Sequence, residues 1–241
     1  YQGDPVLAPL SGGGFVAVWI STDQDGDENY GVYGQRYGAA GQALGDEFHV
    51  NTITAGLQTA ATVAGLTGGG FVVTWVSDDF EIHGQLYGQD GATVGTEFSV
   101  REGFNGDASP SVTALDGGGF VVTWLFISEA HVYIYGQRYT GAGTESGDQF
   151  VVTSHDYSDS QIWYFTPVVA GLDAGGFVVA WEAWPDGDKD IYARRYDSTG
   201  TPLGAEFIVN TYDANEQSNP AITGLADGGF VVLWSSWGQD G

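Results

Sequence analysis

Five stretches of this chain superimpose on one another without a gap: PVLAPLSGGGFVAVW (5–19), ATVAGLTGGGFVVTW (61–75), PSVTALDGGGFVVTW (110–124), PVVAGLDAGGFVVAW (167–181) and PAITGLADGGFVVLW (220–234). Their phenylalanines, Phe15, Phe71, Phe120, Phe177 and Phe230, are spaced 56, 49, 57 and 53 residues apart. Such a repeat constrains the fold more than composition does, because each copy is one structural unit that must bury its faces against its neighbours. Within a copy, a short apolar stretch, a glycine-rich turn and GGFVVxW predict a β-hairpin. Glycine supplies the positive φ of the turn, and Val, Phe and Trp suit strands. The second strand is apolar on both faces, Phe71, Val73 and Trp75 pointing one way and Val72 and Thr74 the other, so the sheet needs cover on both sides.

Each copy continues into a second pair of strands. The third strand reads VYGQRY (32–37), IHGQLY (82–87), IYGQRY (134–139) and IYARRY (191–196), and the fourth reads EFHV (47–50), EFSV (97–100), QFVV (149–152) and EFIV (206–209). Four short strands in about fifty residues predict an all-β fold, a β-propeller in which each blade covers the next. The copies run approximately 1–57, 58–106, 107–163, 164–216 and an incomplete 217–241, all within a single repeat domain. The rivals are a solenoid and a tandem pair of β-sandwiches, which needs about seven strands per hundred residues and no fifty-residue period. Five first hairpins and four second hairpins make eighteen strands, about four and a half blades. The final WSSWGQDG (234–241) matches WISTDQDG (19–26), so completion of the last blade by another chain or by sequence outside this one is expected.

Charge narrows the partners. Asp and Glu number 31 against 6 Lys and Arg, a formal net charge of −25. A surface of that sign repels phosphate backbones and anionic lipid, which excludes electrostatic binding of nucleic acid or a membrane surface. The apolar runs are too short for membrane insertion by a helix. With no cysteine, disulfides, thiol catalysis and zinc–thiolate sites are excluded as well. Cations are the natural counterparts of such a chain.

The joins between second and third strands vary while the hairpins do not: 14 residues separate Trp19 from Tyr33, but only 8 separate Trp75 from His83. Variable loops on a rigid scaffold are the usual place for function. Two of them alternate acids: Asp23, Asp25 and Asp27 in DQDGDEN, and Asp186, Asp188 and Asp190 in DGDKD. The sequence stops inside a third such loop, with Asp240 expected as half of a site whose remaining ligands lie outside it. Closely spaced carboxylates around a glycine turn suit Ca²⁺, a hard cation with six to eight oxygen ligands, although the spacing is not that of an EF-hand. The plain alternative is a set of solvated acidic turns. Repeat 2 offers only Asp78, Asp79 and Glu81, and repeat 3 only Glu129.

Trp163, in HDYSDSQIWYF (155–165), and Trp184, beside the second acidic loop, are candidates for stacking on sugar, with packing between blades as the competing role. Arg36, Arg138, Arg194 and Arg195 sit in third strands and read as scaffold, with pairs such as Arg36 and Glu47. For catalysis, His49, His83, His131 and His155 fall at unrelated repeat positions, and there is no nucleophile motif or phosphate-cradling loop. A near-regular repeat leaves few singular residues for an active site, so the chain is expected not to be an enzyme.

The unit PxVxxLxGGGFVVxW…YGQRY…EFxVN resembles a repeat of very large secreted bacterial proteins, including RTX-type adhesins and surface proteins, and the resemblance covers essentially the whole chain. The loops around Asp23 and Asp186 are distantly similar to the calcium loops of FG-GAP, integrin-type propeller blades. The first resemblance implies an extracellular or cell-surface location and a role in adhesion or structural assembly. It supplies no catalytic residues, and no RTX nonapeptide is present. The expectation is therefore a non-catalytic, calcium-binding propeller module. The alternatives are a lectin-like propeller that binds glycan and, further off, a propeller glycosidase or lyase. The partners expected are a glycan or another protein subunit.

Overall fold

Strand pairing follows the repeat. The structure, a computed structural model, describes residues 2–22, 24, 29–101, 109–156, 166–184 and 188–239. Blade 1 comprises β1 (Gln2–Pro9), β2 (Phe15–Thr22), β3 (Tyr30–Tyr37) and β4 (Ala43–His49). Blade 2 comprises β5 (Thr59–Gly65), β6 (Phe71–Val76), β7 (Ile82–Tyr87) and β8 (Thr93–Arg101). Blade 3 comprises β9 (Ser111–Ala114), β10 (Phe120–Ile127), β11 (His131–Tyr139) and β12 (Phe150–Asp156). Blade 4 comprises β13 (Val168–Gly171), β14 (Phe177–Ala183), β15 (Asp190–Tyr196) and β16 (Phe207–Ile208), and a half-blade follows with β17 (Gln217–Gly224) and β18 (Phe230–Ser236). Each sheet is an antiparallel meander in chain order, and together they form the β-propeller that the repeat predicts. First strands of successive blades lie against one another, β1 on β5, β5 on β9, β9 on β13 and β13 on β17, so fourth strands face outward. No helix among the described residues is long and apolar enough to cross a membrane.

The core is a series of slabs between blades. Phe71, Val73, Trp75 and Tyr87 of blade 2 pack on Val16, Val18, Ile20 and Val32 of blade 1. Phe120, Val122, Trp124 and Tyr139 of blade 3 pack in the same way on Val72, Val76, Ile82 and Leu86 of blade 2. Phe177, Val179, Trp181 and Tyr196 repeat the arrangement on Val121, Leu125, Val132 and Ile134. Each blade thus turns an aromatic face to its predecessor and an aliphatic face to its successor. Within the aromatic face Phe and Tyr stack across β-strands, with ring centroids 4.6 Å apart for Phe71 and Tyr87. At the two ends of the stack the slabs stop, which leaves Leu7 62% exposed and Leu233 67% exposed.

The motif residues YGQR and EF follow from this packing. Gly34, Gly84 and Gly136 pair with Phe48, Phe98 and Phe150 of the fourth strand, whose rings lie over the glycine. A Cβ on Gly84 would stand 2.5 Å from Phe98 Cζ, closer than atoms can approach. The ring is thereby tilted onto the next blade, Phe98 reaching Phe120 and Tyr139. The glutamines that follow are clips: Gln35, Gln85 and Gln137 donate Nε2 to the carbonyls of Gly45, Val94 and Gly147 at 3.3, 3.4 and 3.0 Å. In blade 4 Arg194 Nε does the same to the carbonyl of Gly204 at 3.2 Å. Register shifts in blades 1 and 2 fall at these glutamines, and the amide satisfies carbonyls that the bulge frees.

Arginines pin neighbouring blades. Arg36 Nη1 donates to the carbonyl of Gln89 in blade 2 at 2.6 Å, and Arg138 Nη1 donates to the carbonyl of Thr199 in blade 4 at 2.7 Å. The expected pairing of Arg36 with Glu47 is replaced by this contact, because Arg36 shares the face of Val32, which is turned toward blade 2. Glu47 accepts instead from Gln24 Nε2 at 2.8 Å.

Two outcomes follow from the packing. Gly84→Ala, which forces Phe98 off its seat, lowers unfolding stability in urea by about 1–3 kcal/mol. Ala193→Gly, at the equivalent place in blade 4, costs only about 0.5–1 kcal/mol, the ordinary penalty of a strand glycine. The tyrosines set the alkaline limit. Burial pushes the Tyr196 phenol up to about 12, against the opposing pull of Arg194, and burial pushes Tyr87 and Tyr139 further. Raised values mean that the folded state holds these protons longer than the unfolded chain. Stability is therefore full below about pH 10 and falls as pH rises through 10 to 12 and beyond. Denaturation midpoints at a series of alkaline pH values check this, with Tyr196→Phe flattening the slope.

Candidate functional site

One position breaks the repeat inside the core. The residue after the blade tryptophan is Ile20, Val76 and Leu125 in blades 1 to 3, each buried in the slab toward the next blade. In blade 4 it is Glu182, 8% exposed at the end of β14. A carboxylate at such a place is costly unless it is paired and hydrogen-bonded. Both conditions are met: the backbone N–H of Asn219, on β17, donates to Glu182 Oε1 at 2.5 Å, and Lys189 Nζ lies 3.6 Å from Glu182 Oε2. Asn219 holds a left-handed backbone, φ 55, at the register shift of β17 that turns its amide toward the carboxylate.

Lys189 is the sole lysine of the chain. Its ammonium also lies 3.9 Å from Glu216 Oε2 and 4.4 Å from the ring centroid of Trp184. Two carboxylates thus share one ammonium, which caps the separation of the two oxygens facing it at about 7.5 Å; a pair of carboxyl groups is the equipment of glycoside hydrolysis. Glu216 borders a cavity of about 340 Å³ that is also lined by Ser218, Ser235, Ser236 and Trp237. Trp237, 74% exposed, stands three residues after its blade tryptophan, the same place that Trp184 takes in blade 4. Hydroxyls, a carboxylate and an indole around a cavity are the groups that hold sugars.

Several sequence candidates meet here. Asp190 Oδ1 accepts from Asn210 Nδ2 at 2.7 Å, Asp188 is exposed, and Trp184 is half-buried with one ring face under Lys189. Asp23, Asp25, Asp27, Asp186, Asp240 and Trp163 lie outside the described residues. Sequence reasoning missed Glu182, Lys189, Glu216 and Trp237. The signals were present: the only acid at an apolar repeat position, and the only lysine.

A second break lies in blade 2. His83 replaces the tyrosine found at Tyr33, Tyr135 and Tyr192, and it pairs across the sheet with Trp75. Its Nδ1 lies 3.2 Å from Glu97 Oε1, and its Nε2 lies 3.5 Å from Glu81 Oε2. Glu97 is itself held, its Oε2 accepting from Thr52 N–H at 2.9 Å and from the Thr52 hydroxyl at 2.7 Å. The hydrogen bond to Glu97 raises the His83 imidazole above its ordinary value, although burial pulls the other way. Burial pushes Glu97 up, but the bonds from His83 and Thr52 outweigh it and hold the carboxyl below its usual range. A cavity of about 510 Å³, lined by Thr52, His83, Gln85, Thr93, Glu97 and Ser99 among others, opens beside the pair.

No protein-family model matches the chain, and no curated protein sequence matches it. Solved structures do. The fold is similar to that of a protein of unknown function from Dyadobacter fermentans, at 10% identity and a TM-score of 0.64, over 97% of this chain and 75% of that one. It is similar to an α-L-arabinofuranosidase from Podospora anserina in complex with cellotriose, at 11% identity and a TM-score of 0.52, over 92% of this chain and 76% of that one. It is also similar to an ulvan lyase, a polysaccharide lyase bound to a disaccharide unit of glucuronate and sulfated rhamnose, at 10% identity and a TM-score of 0.53. That match covers 92% of this chain and 61% of the lyase. At these identities the likeness establishes the fold.

The expectation that the chain is not an enzyme is corrected here. It rested on regular blades leaving no room for an active site, yet this scaffold carries a glycosidase and a lyase. The physical reason is visible in this chain: single substitutions at repeat positions gather side chains that the pattern keeps apart, as Glu182 and Lys189 show. Their coupling has a measurable sign. Lys189→Met strands the buried Glu182 and lowers stability by about 2–4 kcal/mol, while Glu182→Leu combined with Lys189→Met recovers most of the loss, because leucine fills this place in blade 3. Urea denaturation of the single and double variants measures it.

Proposed function

We propose that this chain is a carbohydrate-active propeller that binds a neutral glycan across the Trp237 cavity and hydrolyses it with Glu182 and Glu216. The observation that carries the reading is the pair of carboxylates on one ammonium, of which Glu216 borders an indole-and-hydroxyl cavity and Glu182 lies buried behind it. Glu182, fixed by the Asn219 amide and Lys189, presents a carboxylate of set position, suited to act as nucleophile or base at the anomeric carbon. Glu216, half open to solvent beside the cavity, is the carboxylate that a bound sugar can reach. Trp237 offers its ring as the stacking platform.

The likeness to glycan-active propellers supports the reading at the level of fold. Charge favours a neutral substrate: at −25 the protein repels sulfated or uronate polymers, the substrate class a lyase needs. An extracellular setting suits such a substrate and agrees with the resemblance to repeats of secreted bacterial proteins.

A panel of neutral and acidic oligosaccharides, assayed for reducing ends, tests the proposal. Cleavage of a neutral oligosaccharide is expected, with Glu182→Gln and Glu216→Gln each lowering turnover at least about 100-fold while circular dichroism is unchanged. Trp237→Ala weakens binding about tenfold. Binding without cleavage in the parent protein points instead to a lectin-like propeller, and cleavage unaffected by either glutamate overturns the assignment of residues.

A further inference from the structure

Blade 2 holds a cluster that the glycan site does not use. Asp79, Glu81 and His83 each present one ligand atom, and these atoms all lie within 4.8 Å of one another. We propose that they form a site for a divalent transition metal of the zinc class, with Glu97 as the positioning residue for His83.

The imidazole is held for the role. Glu97 Oε1 stands at Nδ1 of His83, so the ring donates there and leaves the Nε2 lone pair directed toward Glu81. A carboxylate behind a ligating histidine, fixing its tautomer and orientation, is the arrangement that metal-binding histidines need. Glu97 is not free to swing away, because the Thr52 amide and hydroxyl both donate to its other oxygen. His83 is further held flat against Trp75, the ring centroids 5.8 Å apart and the planes 20° from parallel.

Donor chemistry then selects the ion. One imidazole nitrogen and two carboxylates suit a borderline cation such as Zn²⁺ or Co²⁺, whereas Ca²⁺ takes oxygen ligands alone and more of them. Three protein ligands leave a tetrahedral ion one open position for water or a substrate oxygen. Glu81 and His83 already place a ligand pair 3.5 Å apart, close to the edge of such a tetrahedron, about 3.4 Å, and Asp79 is the exposed member, with its Oδ1 accepting from the Ser77 hydroxyl.

The repeat supplies an internal comparison. Blade 4 places Asp188, Asp190 and Tyr192 at the three equivalent positions, and blades 1 and 3 also carry tyrosine, Tyr33 and Tyr135, in place of His83. Among the described residues only blade 2 brings an imidazole to two acids, and its fourth-strand Glu97 completes the set.

His83→Tyr is therefore the informative variant, since the other complete blades show that tyrosine packs at this position. In calorimetric titrations of the full chain with Zn²⁺, and with Co²⁺ followed by its visible absorption, the parent protein binds one ion at the blade 2 site. His83→Tyr, with an unchanged melting profile, weakens that binding at least about 100-fold. Glu97→Gln weakens it about 10- to 100-fold while the Co²⁺ spectrum of the saturated site persists, as expected of a group that acts through His83. Millimolar Ca²⁺ leaves the Zn²⁺ isotherm in place. Equal Zn²⁺ affinity in parent and His83→Tyr overturns the proposal, as does displacement of Zn²⁺ by equimolar Ca²⁺.

Discussion

Everything in this fold depends on one contact, the aromatic face of each blade laid on the aliphatic face of the blade before it. Phe, Trp and Tyr from the second and third strands meet Val, Ile and Leu of the predecessor, and the burial is nearly complete in blades 2 to 4. A sheet of four strands alone cannot hide two apolar faces, so the repeat is stable only as a stack. The remaining motif residues serve that contact. Glycine beneath Phe98 lets the ring reach the next blade, glutamine repairs the bulge that this creates, and arginine fastens the rim of one blade to the turn of its neighbour.

Because the slabs are so uniform, each departure from them carries information. Glu182 stands where three other blades bury an aliphatic side chain, and His83 stands where three others keep tyrosine. Burying charge or imidazole at such places requires partners, and the partners are present in both cases: Lys189 with the Asn219 amide, and Glu97 with Thr52. Both breaks occur at the junction of second and third strands, and Trp237 follows the second strand of the half-blade at the same end. The loops that vary in length are the ones at this end. A rigid stack thus presents its chemistry along one rim, while the opposite turns carry the glycine-rich hairpins of the scaffold.

The sequence by itself determined the all-β class, the eighteen strands and the two-faced burial, because those properties are periodic and local: alternation places Val72 and Val73 on opposite faces whatever surrounds them. It also marked the loops before the third strands as the variable ones. It led away from an enzyme, because a repeat viewed as a line suggests that singular residues are scattered. Tertiary structure brings such residues together. Glu182 meets an amide 37 residues further on, Arg36 meets a carbonyl 53 residues away, and Thr52 meets Glu97 across 45. Each is a contact between one blade and the next or its linker, set by how the blades stack. Periodicity reports which face a side chain takes, but only the stacking of blades determines which polar atoms on those faces come within reach of one another.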